Sequence, residues 1–203
     1  MTKTVEPCKG DSNRQRIIQA AYELFYHQGF NQTSFSDIAE AAEFPRGNFY
    51  YYFKSKDELL REVVQYRIER LKEMLAQWDA GSDDPAKRLL FLADMMEASK
   101  ADVMRYGCPL GTLTAELGKT QATLQEEAVL MFDIIINWAQ SQLEELGYGD
   151  QSRILAMHLM ARLQGMTMMA FSYGDEAFFD YEILNMRQEL ERLGRKEFDY
   201  DSK

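Results

Sequence analysis

The sequence predicts an all-α fold. Only 4 prolines interrupt 203 residues. Leu, Met, Ala, Glu and Gln, all strong helix formers, are frequent. Apolar residues also recur at three- and four-residue steps over long windows. The organisation expected is a small N-terminal head of three helices, a long bridging helix and a larger C-terminal helical body.

Residues 1–11 are expected to form a disordered leader. Ser12, with Gln15 three residues on, has the pattern of a capping box that opens a helix. Ile17, Ile18, Ala21, Leu24 and Phe25 make its apolar face, and Gly29 is placed to end it. Thr33 to Lys56 reads TSFSDIAEAAEFPRGNFYYYFKSK. Ser34 supplies an N-cap, and Phe35, Ile38, Ala39 and Ala42 share one face of a short helix. Glu43-Phe44 connects it to a second helix, with Pro45 in its first turn because a missing N–H is harmless there. Two short helices across such a turn form a helix-turn-helix, whose second helix suits a DNA major groove.

Ser55 with Glu58 starts a long helix over about 55–79, bearing Leu60, Val64, Leu71, Met74 and Trp78. Gly81 to Pro85 breaks the chain, with Asp84 as N-cap and Pro85 at the first helical position. A helix to about Asp102 follows. Arg105 to Leu117 is expected to be irregular because Gly107, Pro109 and Gly111 interrupt it. Helices over about 121–146, 151–173 and 176–193 complete the body.

The chain is 46% hydrophobic and 28% charged, and its longest charge-free run, Leu163 to Gly174, is far short of the ~20 residues of a membrane span. With no apolar signal segment, a cytoplasmic location is expected. Two cysteines and two histidines, all well separated, make no disulfide framework or metal site, and no cofactor motif appears. Nor is there a Ser/His/Asp set or a phosphate loop, so an enzyme is not expected. The net charge is −10, yet Phe44 to Lys56 holds three basic residues and no acid. An acidic protein approaches DNA only through such a local exception.

The first 60 residues resemble the N-terminal domain of the tetracycline-repressor (TetR) family of bacterial transcription regulators. The resemblance rests on Gly29-Phe30, on Thr33 to Ala39, on Pro45 to Phe53 and on Lys56-Asp57-Glu58-Leu59-Leu60. A second fragment, Gly107 to Gly111 followed by Leu113 and Glu116-Leu117, looks like a subgroup of that family that includes sensors of reactive electrophiles. Glu43 stands where the family pattern usually has glycine, which predicts a turn made without a positive φ. Pro45 replaces the usual Ser or Thr, so no side-chain cap is expected there.

The resemblance implies a helix-turn-helix DNA-binding domain at 12–56 and a ligand-binding and dimerisation domain at 80–203. It implies that Arg46, Asn48, Tyr50 and Tyr51 face DNA while Phe49 and Phe53 point inward. Arginine pairs with guanine edges and asparagine with adenine, and Gly47 permits close backbone approach. Thr33, Ser34 and Lys56 are expected to hold phosphates. An excess of soft apolar side chains, 12 Met and 12 Phe among them, fits a deformable ligand cavity. In the family's body such a pocket would be lined by Met74, Trp78, Phe91, Met95, Met104, Cys108, Phe132, Ile135 and Trp138. Cys108, near Arg105 and before a helix start, has a setting that favours a reactive thiolate. A dimer contact is expected from Leu155, Leu159, Leu163, Gly165, Met166 and Ala170, with Phe178, Phe179, Ile183 and Met186. The resulting expectation is a homodimeric repressor on double-stranded operator DNA, released by a small apolar or electrophilic inducer, with no membrane partner. The alternative is an all-helical carrier or enzyme without DNA binding.

Overall fold

The computed structural model describes residues 9–119 and 121–196, and the described residues are helices joined by short connections. In chain order these are α1 (Lys9–Gln28), α2 (Phe35–Ala41), a 3-10 turn (Arg46–Asn48), α3 (Phe49–Tyr52), α4 (Lys56–Gly81) and α5 (Pro85–Ala98). There follow α6 (Lys100–Tyr106), α7 (Pro109–Gly118), α8 (Ala122–Glu145), a second 3-10 turn (Gly149–Gln151), α9 (Ser152–Tyr173) and α10 (Glu176–Gly194). The chain divides into two compact units. The first holds the chain through Arg67 together with Thr112–Ala128; the second holds Ile68–Gly111 and the chain from Val129 onward.

In the first unit, Ile17, Ile18, Ala21 and Phe25 of α1 are buried with Phe30, Ile38, Ala39, Phe49, Phe53, Leu59 and Leu60. Burying a phenylalanine or leucine contributes about 1.5–3 kcal/mol. The four fully buried rings and leucines of 49–60 therefore fix the short α3 between longer neighbours. The N-terminal expectation is corrected here. α1 already begins at Lys9, so Ser12 lies inside the helix and caps nothing, while residues 1–8 of the expected leader fall outside the described residues. The end holds: Gly29, at φ 88, donates its N–H to Phe25 O at 3.1 Å.

The α2 turn departs from expectation. Glu43 adopts φ 50, the left-handed region in which a side chain is disfavoured. Its N–H donates to Glu40 O at 3.0 Å and that of Phe44 to Ala39 O at 2.8 Å, the paired bonds of a Schellman end. The Arg16 guanidinium donates to Ala42 O at 2.6 Å and holds the same turn from α1. Pro45 caps the 3-10 turn from outside, at φ −62 and ψ 120, and is not its first helical residue. Gly47 and Asn48 are weak helix formers, which accounts for a 3-10 start before α3.

α4 opens as anticipated, with Ser55 Oγ accepting from Glu58 N–H at 3.0 Å, although the Glu58 carboxylate takes the N–H of Lys54 at 2.8 Å. In the second unit Asp84 caps α5 through Ala86 N–H at 2.9 Å. The expected single helix to Asp102 instead stops at Ala98 and restarts as α6. The expected irregular stretch is also helical. Gly107, at φ 78, makes the one break, Pro109 occupies the first position of α7, and Gly111 lies within it. α10 packs along α5, where Gly194 comes so close that a Cβ would meet that of Ala86 at 2.6 Å. Arg187 bridges Asp94 and Glu97 across the same pair, both at 2.6 Å.

Candidate nucleic-acid interface

The 3-10 turn and α3 place their side chains on two opposed sides. Phe49 and Phe53 are buried, and Phe49 packs on Phe35 with ring centroids 4.6 Å apart. Arg46, Gly47 and Asn48 are exposed, and Tyr50 and Tyr51 are 60% and 81% exposed despite their size. Tyrosines held this far into solvent on an anchored element present rigid aromatic bodies with hydroxyl tips. Tyr50 lies edge-on to Phe35 at 5.5 Å, and Tyr51 edge-on to Tyr52 at 5.3 Å. Tyr52 turns partly inward, edge-on to Phe44 at 5.3 Å, and accepts from Asn13 Nδ2 at 3.4 Å. Arg46 meets Glu40 at 3.4 Å, both largely exposed, and such a surface pair contributes little. The arginine can therefore swing to another anion.

Ser34 caps α2. Its Oγ accepts from Asp37 N–H at 3.2 Å, while Asp37 Oδ2 takes both the Ser34 hydroxyl and N–H at 2.7 Å. Those bonds from Ser34, the hydroxyl first, hold the Asp37 carboxyl below its ordinary pKa. The other two expected phosphate contacts sit differently. Thr33 is 1% exposed, and its hydroxyl donates to Gly29 O at 2.8 Å, so its side chain faces the interior and is corrected to a structural role. The Lys56 ammonium donates to Phe30 O at 2.9 Å and Thr33 O at 3.1 Å and lies 4.4 Å from the Phe30 ring centre. It supports the turn before α2. Two clefts open on the same unit. One of about 580 Å³ is lined by Asn13, Arg16, Asn48, Tyr51 and Tyr52 among others. The other, of about 410 Å³, runs between α1 and the end of α2 and includes Arg16, Leu24 and Glu43.

The profile of the bacterial regulatory proteins of the tetR family matches residues 17–63, the unit that carries this face. The C-terminal domain of LmrA/YxaF-like transcriptional regulators matches residues 85–181. The chain belongs to the TetR family of transcriptional regulators. This TetR-family chain is 24% identical over 189 residues to an uncharacterised HTH-type regulator of Lactococcus lactis, covering 91% of this chain and 96% of that protein. It is 31% identical over 119 residues to the HTH-type regulator LmrA of Bacillus subtilis, covering 58% of this chain and 63% of LmrA. A TetR regulator structure from Legionella pneumophila superposes with TM-score 0.77 at 24% identity, over 92% of this chain and 99% of that one. That likeness shows the fold.

In the second unit of the TetR-family chain, three of the nine expected pocket residues gather as rings. Trp78 lies 5.9 Å from Phe91 and 5.2 Å from Trp138. Trp138 Nε1 donates to Asp79 Oδ1 at 2.9 Å, and Arg88 donates to Gln142 Oε1 at 2.6 Å beside it. Met74, Met95, Met104 and Phe132 are half-buried, and Ile135 is buried. Cys108, half-buried, accepts from Gly111 N–H at 3.5 Å and from Gln164 Nε2 at 3.3 Å.

The expected contact face is corrected. Leu155, Leu159, Leu163, Met166, Ala170, Phe179, Ile183 and Met186 are buried within the single chain, and Phe178 is half-buried. These side chains are core. Gly165 alone of the set is exposed, with nothing within 4 Å of an added Cβ. It shares the outer face of α9 with Ile154, Met157 and Met168, which are 53%, 44% and 50% exposed. Arg16, Asp79, Glu116 and Gln164 were not singled out from sequence as functional residues; only Glu116 carried a signal, as part of the second family fragment.

Proposed function

We propose that this DNA-binding regulator is a homodimeric repressor that reads a near-palindromic operator through Arg46, Asn48, Tyr50 and Tyr51. The observation that carries the reading is the polarity of the 3-10 turn and α3, whose two phenylalanines are buried while two tyrosines, an arginine and an asparagine stand in solvent. Arg46 offers a bidentate donor for guanine, Asn48 pairs with adenine, and the tyrosine hydroxyls and the N-terminus of α2 at Ser34 suit phosphates. The second copy covers the outer face of α9. That helix is apolar on both sides, and an all-round apolar helix needs cover on both. Exposed Phe171, Tyr173, Tyr181 and Leu184 extend the same apolar surface onto the end of α9 and onto α10. A two-fold dimer matches paired half-sites about one helical turn apart.

Repression is lifted by a small apolar or electrophilic inducer taken up beside Trp78, Phe91 and Trp138, with Cys108 as the reacting thiol in the electrophilic case. Ligand favours the arrangement of heads that does not fit the operator, and affinity falls accordingly. The protein acts in the cytoplasm. Among the described residues no helix is long and apolar enough to cross a membrane. The test is selection of duplexes from a random library by the native protein. Enrichment of an inverted repeat supports the reading; recovery of unenriched sequence at low salt and none at physiological salt overturns it.

A further inference from the structure

We propose that Glu116, on α7, is a positioning residue for DNA binding, holding the turn between α1 and α2 through its carboxylate. Oε2 accepts from Phe30 N–H at 2.9 Å and Oε1 from Asn31 N–H at 2.7 Å. Two successive backbone donors on one ionised group form a charge-assisted bidentate pair, stronger and more directional than neutral bonds. Gly29 makes the approach possible. At φ 88 it turns the chain, and an added Cβ would crowd Oε2 at 3.1 Å.

The carbonyl side of the same turn is held by Lys56, whose ammonium reaches Phe30 O, Asn31 O and Thr33 O at 2.9, 3.4 and 3.1 Å. The N–H groups of Phe30 and Asn31 and the carbonyls of Phe30, Asn31 and Thr33 are thus held by opposite charges from α7 and α4. Ser34, the cap of α2, follows directly, and Phe35 is the ring against which Phe49 packs and Tyr50 lies edge-on. A shift of the turn therefore moves both the cap and the ring that supports exposed Tyr50. The turn sits within the family's DNA-binding match, whereas Glu116 comes from the C-terminal match. Loss of Glu116 frees two adjacent N–H groups and loosens the base of α2 without touching a DNA-facing side chain.

The inference rests on the DNA-binding reading above, and the experiment separates the two. Native, E116A and E116Q chains are titrated against a duplex selected by the native protein, with amide exchange at Phe30 and Asn31 measured by NMR and helicity by circular dichroism. E116A is expected to bind about tenfold more weakly and to lose protection at both amides, with native helicity. E116Q keeps one carbonyl acceptor and recovers part of both. Affinity equal to native in E116A, or weakened binding with both amides still protected, overturns the role of Glu116. If E116A does not fold, E116Q decides: native affinity despite lost protection overturns the role, and a parallel partial loss upholds it. A native chain that selects no duplex overturns the DNA-binding reading itself.

Discussion

Glu43→Gly is expected to stabilise the protein although it deletes a side chain. Glu43 sits at φ 50 because the Schellman bonds of Glu43 and Phe44 and the Arg16 bond to Ala42 O fix the end of α2. A residue with a Cβ in that region costs about 1–2 kcal/mol. Glycine removes the cost but adds freedom to the unfolded chain, about 0.4–1 kcal/mol in the opposite direction. The net gain is about 0.5–1 kcal/mol, or about 2 °C in Tm for a chain of this length. Thermal melts followed by circular dichroism measure it, with Glu43→Ala as the control that keeps the Cβ and the strain. A Glu43→Gly chain melting at or below the native temperature would refute the conformational argument. So would an equal rise in Glu43→Ala, because the gain would then come from the lost charge.

Gly165→Leu has room within one chain but projects from the outer face of α9, so sedimentation should show a mass of two chains for the native protein and of one chain for the variant, with helicity unchanged; a variant of two-chain mass would place the contact elsewhere. Met157→Glu, on the same face, should do likewise. For Asp37, the folded pKa lies below the ordinary 3.8, so its contribution is present above that value and lost as pH falls through the lower folded one. Below pH 4 the Tm of native protein should therefore drop more steeply than that of Asp37→Asn; parallel curves would show that the Ser34–Asp37 bonds do not bear on stability.

Helix boundaries were legible wherever a local capping residue decides them. Ser34, Ser55, Asp84-Pro85 and Gly29 all act as their chemistry predicts. Features set by tertiary contact were not. Glu43 takes a glycine's conformation because the Schellman bonds at the end of α2 and the Arg16 bond from α1 hold it there. Gly111 lies within α7, where its bare Cα admits the Gln164 side chain that an added Cβ would strike. The face of α9 was misjudged for a related reason. Apolar residues occur all round that helix, so periodicity cannot say which side meets its own chain and which is left outside. On α3 the burial of Phe49 and Phe53 and the exposure of Tyr50 and Tyr51 agree with what the resemblance implied; the two phenylalanines lie four residues apart and so share one helical face. Lys56 and Thr33 point back at the protein, because the turn before α2 has carbonyls that need donors.

The central claim is that the exposed side of the Arg46–Tyr52 segment reads operator DNA. The most direct measurement is fluorescence anisotropy of a duplex selected by the native protein, titrated with native, Arg46→Ala and Tyr51→Phe chains whose circular dichroism is native. Arg46 should lose a base contact and about 1–3 kcal/mol of discrimination, about tenfold or more in affinity. Tyr51→Phe, which removes one hydroxyl, should show a smaller loss. Unchanged binding by both variants would remove this face from DNA recognition.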